Sequence, residues 1–495
     1  MLSLGACGKT RSAKLGKKTN LLVLLPDQVR ADIINDIAAS GVHAPNIRRL
    51  ASQSVVFERA YVTHPVCTPS RSSLLTGTWP HQSGCRNNKA VLPRQFRCLP
   101  EMVADSDYRT AYFGKWNLGD EFTPQHGFEA WASIEENFKG AHNKFGGQTS
   151  DYTNFLKSEG FRPDHRGKYF SLKFPTKLPF TFSKTKFLES KTCEFIERHR
   201  NDPFIAFVSF LEPHPPYDGP FNTEHSIDAA TLDASFDDVL GEDLPLRSRL
   251  RQQFCEEGLP GRDAFRRVKR NYLGLITQVD RSVGAILDKI DDLGLRDRTI
   301  VVLTSDHGDM MSAHGLLGKQ LMYEQSAAVP YMVRVPGEAP RACPASVSHI
   351  DFVPTMLDLL GKPADSQCVG QSRAQLIRGD SESPGFIFCE WSPGGHARMD
   401  RKTTLASPEE INRCIQESTR AVISPDGWKL CLRDYDKNEL YNLRNDPGER
   451  QNLFYRAESH EVIAHLSDAI YRWQESSGDM LKGIRSGISL PLRTG

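Results

Sequence analysis

Four strand-length apolar runs, each closing on polar residues, constrain this chain most. Asn20–Pro26 ends in Asp27 and Gln28, and Arg109–Phe113 ends in Gly114-Lys115. Pro203–Leu211 ends in Glu212-Pro213-His214, and Arg298–Ser305 ends in Asp306-His307-Gly308. An uninterrupted apolar run suits a strand buried on both faces, as in a parallel sheet covered by helices. Helical periodicity lies between the runs, over 44–54, 185–199 and 268–293. Alternating strands and helices predict an α/β fold with a mainly parallel sheet. In such sheets ligands gather at the carboxyl ends of the strands, where all four polar endings fall.

The texture changes near residue 376. Short strand-like pieces over 385–391, 420–424, 428–432 and 439–443 are joined by turns such as Pro425-Asp426-Gly427. A terminal helix over 459–475 follows, so 376–495 reads as a small antiparallel α+β unit behind a catalytic unit over 19–375. Residues 1–18 read as a flexible lead-in. Residues 120–180, aromatic, basic and weakly periodic, read as an inserted loop region. Its Lys173, Lys177, Lys184 and Lys186 are expected on a solvated surface, and His81 and Asn88 in a loop after the next segment of interest.

Composition narrows the function classes. The formal net charge is +1, which gives no electrostatic reason to expect nucleic acid. No apolar run approaches the roughly 20 residues of a membrane helix. Eleven cysteines follow neither zinc-site nor small-domain disulfide spacing. Leu4-Gly5-Ala6-Cys7 reads like a lipoprotein box, which predicts a lipid anchor at Cys7 and a periplasmic or membrane-anchored bacterial protein.

The chemistry concentrates in Cys67-Thr68-Pro69-Ser70-Arg71-Ser72-Ser73-Leu74-Leu75-Thr76-Gly77. Pro69 near the start and Gly77 past the end frame a short helix. Cys67 then sits at the N-terminus, where free N–H groups and the helix dipole favour an anion. Arg71, four residues on, shares its face. A nucleophile beside a guanidinium at such a terminus suits a tetrahedral oxyanion.

These residues carry a resemblance. Cys-x-Pro-x-Arg followed by Ser-x-Leu-Leu-Thr-Gly is the signature of the sulfatases, and the chain is similar to that family over most of its length. Ala44-Pro45-Asn46, Tyr112-Phe113-Gly114-Lys115-Trp116 and Glu212-Pro213-His214-Pro215-Pro216-Tyr217 follow the family pattern in order. So do Ser305-Asp306-His307-Gly308-Asp309, Gly318-Lys319, Ser348-His349-Ile350-Asp351, Pro354-Thr355, Glu439-Leu440-Tyr441-Asn442-Leu443 and Asp446-Pro447-Gly448-Glu449. The resemblance implies an alkaline-phosphatase-like fold: a central, mixed but mainly parallel sheet flanked by helices, with a small C-terminal antiparallel domain. It implies that a maturation enzyme oxidises Cys67 to formylglycine, whose hydrated aldehyde attacks sulfur. It implies one divalent cation, Ca2+, held by Asp27, Gln28, Asp306, His307 and the modified Cys67. It makes Lys115 and Lys319 the sulfate-binding cations, and His214 or a lysine the proton donor to the leaving alcohol. The implied substrate is a sulfated small molecule or glycan.

Two departures from the family pattern stand out. The metal-binding pair is Asp27-Gln28 where many members carry two aspartates, which predicts a weaker calcium site or a shifted metal preference. The motif Gly-Lys-Trp-His-Leu-Gly is here Gly114-Lys115-Trp116-Asn117-Leu118-Gly119. Asn117 hydrogen-bonds but takes no proton near neutral pH. Slower sulfate release, another base or a different ester is then expected. These departures sustain one rival enzyme, a phosphonate monoester or phosphodiester hydrolase using the same formylglycine; Lys115 and Lys319 weigh against it. A non-enzyme rival, a binding protein, predicts an unmodified thiol at Cys67.

Overall fold

The computed structural model describes residues 18–136, 148–165, 167–380, 385–393, 403–481 and 483–487. The main sheet has eight strands: β1 (Asn20–Leu24), β2 (Val55–Tyr61), β3 (Arg109–Gly114), β4 (Ala130–Ala132), β5 (Phe204–Ser209), β6 (Thr299–Thr304), β7 (Tyr331–Arg334) and β8 (Arg341–Ser348). Their spatial order is β4-β3-β5-β1-β6-β7-β2-β8. All neighbours are parallel except those of β7, which runs antiparallel to β6 and β2. This is the expected α/β architecture, and the four apolar runs are its β1, β3, β5 and β6.

The side-chain alternation of β1 explains why its run is apolar throughout. Leu22 and Leu24 enter one core with residues of the Lys184–Arg198 and Arg262–Asp292 helices, such as Leu188, Ile196, Tyr272 and Leu273. Leu21, Val23 and Leu25 enter the opposite core with Leu74, Leu75, Phe352 and Met356. Register pairs Leu22 with Ala206 on β5 and Val301 on β6, so β1 is central and wholly buried. Each fully buried Leu or Val contributes roughly 1.5–3 kcal/mol.

Two regions differ from the sequence reading. Residues 120–180 are not simply a loop: β4 extends the sheet beside β3, and Asp151–Ser158 is a helix capped by Ser150, whose side chain accepts from Thr153 N. Both pieces are too short for periodicity to reveal. Lys184 is buried and its ammonium lies 5.8 Å from the Tyr152 ring, whereas Lys173 and Lys177 are exposed. The long apolar stem of a lysine allows that burial.

The second sheet is antiparallel, with β9 (Ile387–Trp391), β10 (Thr419–Ile423), β11 (Trp428–Arg433) and β12 (Glu439–Asn442) in the order β12-β11-β10-β9. The His460–Ser477 helix covers one face through Ile463, Leu466 and Ile470 on Val422, Leu430 and Leu440. The other face packs Ile387, Cys389, Trp391 and Ala421 on Tyr61, Val66 and Met322. Glu390 N donates to Thr63 O at 2.8 Å, so the small sheet abuts the segment leading into Cys67. His81 belongs to this junction: its Nδ1 is 2.5 Å from Glu390 Oε2 and its ring lies edge-on to Trp473. None of the ten described cysteines forms a disulfide, and Cys7 lies outside the described residues. Among the described residues no helix is long and apolar enough to cross a membrane.

Candidate active site

The Cys67–Thr76 helix is buried along all ten residues, and Gly77 ends it with φ 67°. A buried helix this polar must satisfy its hydroxyls internally. Ser72 Oγ donates to Pro69 O, Thr76 Oγ1 to Ser72 O, and Thr63 Oγ1 to Ser73 Oγ. Ser70 Oγ meets His349 Nδ1 at 3.2 Å, while His349 Nε2 meets Thr304 Oγ1 at 3.1 Å. Small side chains let the helix lie close against the sheet, with Cys67 directed at the strand ends.

Arg71 organises the centre. Its Nε donates to Asp306 Oδ2 at 2.8 Å and its Nη2 to Asp27 Oδ2 at 3.1 Å. Its Nη1 donates to Lys115 O at 2.8 Å and Ser209 Oγ at 2.7 Å. Arg71, Asp27 and Asp306 are all fully buried. One guanidinium thus joins the endings of β1, β3, β5 and β6. Lys115 adds a bond to Asp27 Oδ2 at 2.7 Å. Lys115 is placed by Gly114, whose φ is 114°; a Cβ there would sit 1.9 Å from Ser209 O. Only glycine permits that approach of β3 to β5.

Cys67 Sγ lies 3.0 Å from Lys319 Nζ, 3.3 Å from His307 Nε2 and 3.5 Å from Lys115 Nζ. Burial opposes ionisation of the thiol, but Lys115 and Lys319 outweigh it and bring its pKa down to about 6. The pocket is therefore built to stabilise negative charge on the atom attached to Cβ of residue 67. Burial likewise opposes charge on Asp27, and Lys115, Lys319 and Arg71 hold it well below the usual carboxylate range. Burial, then Lys319 and Lys115, push His214 well below its ordinary value. Its Nδ1 donates to Pro215 O at 2.8 Å, so the neutral ring presents Nε2 as an acceptor.

Four side chains offer a metal site. Ligand atoms of Asp27, Cys67, Asp306 and His307 lie within 4.8 Å of one another, and all four residues are buried. Asp27 Oδ1 has no hydrogen-bond partner there. His307 Nδ1 donates to Gly308 O at 2.9 Å, so Nε2 is the ring atom facing Asp27 Oδ1 at 3.7 Å and Asp306 Oδ1 at 3.6 Å. Two carboxylates, an orphaned buried oxygen and an imidazole nitrogen turned toward them fit a divalent cation. Gln28 is beside them: its Oε1 accepts from Lys319 Nζ at 2.9 Å, and its Nε2 donates to Tyr217 OH and Asp309. Its φ of 72° turns the chain immediately after Asp27.

Asn117 is hydrogen-bonded to Thr68, the residue after Cys67. Its Nδ2 donates to Thr68 Oγ1 at 2.6 Å, and Thr68 Oγ1 donates to Asn117 O at 2.7 Å. The structure thus brings Cys67, Arg71, Lys115, Lys319, Asp27, Gln28, Asp306 and His307 into one contact network. His214 acts on it electrostatically and Asn117 through Thr68. Sequence reasoning gave no site role to Ser209 and Tyr112 behind Arg71, to Asp309 and Tyr217 behind Gln28, or to Asn88, whose Oδ1 accepts from Thr68 N at 2.9 Å. Ser209 was discoverable as the polar terminus of an apolar strand; Asn88 was placed in the loop after the helix, without a partner.

The chain is 24% identical to the N-acetylglucosamine-6-O-sulfatase of Bacteroides thetaiotaomicron, across 97% of this chain and 90% of the relative. It is 28% identical to the ulvan-active sulfatase of Formosa agariphila, across 73% of this chain and 65% of the relative. The fold superposes on the phosphonate monoester hydrolase of Silicibacter pomeroyi with a TM-score of 0.76 at 21% identity, covering 94% of this chain and 96% of that one. It superposes on a 2-O GAG sulfatase with a TM-score of 0.71 at 20% identity, covering 95% and 94%. Residues 19–362, well over half of the chain, match the family model described as Sulfatase, and the protein belongs to the sulfatase family.

Proposed function

We propose that the protein hydrolyses sulfate esters of a sulfated carbohydrate, with residue 67 as the nucleophilic position. The observation that carries this reading is Cys67, at a buried helix N-terminus, within 3.0–3.5 Å of Lys319, His307 and Lys115. Sulfated-glycan names among the relatives support the substrate class. Oxidation of Cys67 to formylglycine by a separate maturation enzyme supplies a hydrated aldehyde as nucleophile in place of the thiol. When bound, Ca2+ held by Asp27, Gln28, Asp306 and His307 supplies fixed positive charge that lowers the nucleophile's pKa. Lys115 and Lys319 bind the non-bridging sulfate oxygens, and their charge offsets what builds up as the ester bond breaks. Arg71 holds Asp27 and Asp306 in place. Burial, then Lys319 and Lys115, keep His214 below its ordinary value in the free protein; a bound sulfate offsets the two lysine charges and favours His214 holding the proton that the leaving alcohol takes. Asn117 orients Thr68 and moves no proton. Residues 19–375 form the catalytic unit in this reading, and 376–495 close one side of it. Export with a lipid anchor at Cys7 completes the reading, supported by Leu4-Gly5-Ala6-Cys7.

Asp27-Gln28 and Asn117 favour a second reading, hydrolysis of phosphonate monoesters or phosphodiesters at the same site. One experiment separates the two. Metal-loaded, matured protein is assayed on a plate of sulfated mono- and disaccharides with one phosphodiester and a Cys67→Ala control. Sulfate released from a sugar and lost in the control is the expected result. Turnover of the phosphodiester alone overturns the sulfatase reading of the substrate.

A further inference from the structure

A second group of metal-ligating side chains lies away from Cys67. Cys98, Glu101 and His126 bring one ligand atom each within 4.8 Å of one another. Cys98 is 0% and His126 5% exposed. His126 Nδ1 is buried with no hydrogen-bond partner. Glu101 Oε2 is 3.5 Å from it, too far for a good N–H···O bond. Two ligands held at about 2.0 Å by one tetrahedral zinc ion lie about 3.3 Å apart, so this separation matches the edge of a coordination shell. His126 Nδ1 thus faces the Glu101 carboxylate, whose Oε2 also accepts from Cys98 N at 2.9 Å.

A divalent cation would balance a thiolate and a carboxylate together. The site is also built: Gly127 has φ +79°, and a Cβ there would come within 2.7 Å of Glu101 Cγ, so the backbone beside His126 presses on the Leu99–Val103 helix. The cluster Cys414, Glu417 and Asp436 lacks this character, because Glu417 is paired with Arg433 at 3.0 Å and Arg247 at 3.5 Å.

We propose that Cys98, Glu101 and His126 form a structural zinc site, with water completing the shell on the side where Glu101 reaches solvent. Cysteine, imidazole and carboxylate together select zinc over calcium or magnesium. The ion ties the helix bearing Cys98 to the loop that runs on from Lys115. The His126 and Trp116 rings lie 5.9 Å apart, and Glu121 in the same loop accepts the N–H groups of Trp116 and Asn117.

The test uses Co2+ as an optical probe in metal-free Cys67→Ser protein, which lacks the active-site thiol. The expected result is one equivalent of a thiolate-to-cobalt charge-transfer band, displaced by Zn2+. Cys98→Ser in the same background abolishes the band, and His126→Ala weakens Co2+ binding at least tenfold, with far-ultraviolet circular dichroism reporting that each variant is folded. A missing band in Cys67→Ser protein overturns the proposal. So does a band that survives both Cys98→Ser and His126→Ala unchanged.

Discussion

Asn117 donates from Nδ2 to Thr68 Oγ1 at 2.6 Å and has φ 58°, so its amide braces the second residue of the nucleophile helix. A left-handed backbone is tolerated by asparagine and histidine better than by most residues. Asn117→His is therefore expected to fold, and it restores a proton acceptor beside the nucleophile. Rapid-mixing assays should show a burst followed by slow steady-state turnover in the native protein, and a steady-state rate raised about tenfold or more in the variant, within the ~10²–10⁴-fold range of general base catalysis. Absence of a burst, with no gain on Asn117→His, would mean that sulfate release is not the slow step.

Arg71 donates to both Asp27 and Asp306. Arg71→Ala leaves two buried carboxylates short of a partner and is expected to cost about 3–5 kcal/mol in urea unfolding, as well as turnover. Arg71→Lys should recover little, because an ammonium cannot reproduce the fork between the two carboxylates and Lys115 O. A stable, active Arg71→Lys protein would contradict this account of the centre.

Metal removal is expected to separate activity from folding. Arg71 and Lys115 already balance Asp27 and Asp306, so chelated protein should remain folded. Turnover should fall on the order of 10²-fold or more, since a bound cation contributes several kcal/mol to the transition state, and Ca2+ should restore it. Asp27→Asn should weaken Ca2+ binding at least tenfold by calorimetry. Full activity in chelator would remove the metal from the reading.

Acid stability reports on the C-terminal unit. Arg420 grips Asp479 through two bonds, Nε to Oδ2 at 2.6 Å and Nη2 to Oδ1 at 3.0 Å. Burial opposes the Asp479 carboxylate, but Arg420 brings its pKa from an ordinary 3.8 to about 2. A depressed folded-state pKa gives stability that is present above the ordinary value and lost as pH falls through the folded one. The shift corresponds to roughly 2 kcal/mol. Asp479→Asn should be less stable than the native protein at pH 7. Denaturant midpoints measured at descending pH should bring the two together between about pH 4 and pH 2. A constant gap across that window would refute the assignment.

The linear sequence determined the architecture and much of the chemistry, because both rest on local periodicity. Continuous apolar runs gave away β1, β3, β5 and β6, since a strand buried on both faces cannot alternate. Their polar endings placed Asp27, Lys115, His214 and Asp306 on one side of the sheet, and the framing of Pro69 and Gly77 set Cys67 at a helix start. What only tertiary structure decided was partnership. That Arg71 joins four strand endings, that Asn117 grips Thr68, and that His81 meets Glu390 all depend on contacts between segments far apart in the chain. The same holds for β4 and the Asp151–Ser158 helix, whose short segments are stabilised by the neighbours they pack against rather than by their own pattern. Lys184 shows the limit most simply: its charge and basic surroundings read as surface, and the ring of Tyr152 and the packing of its helix put it inside.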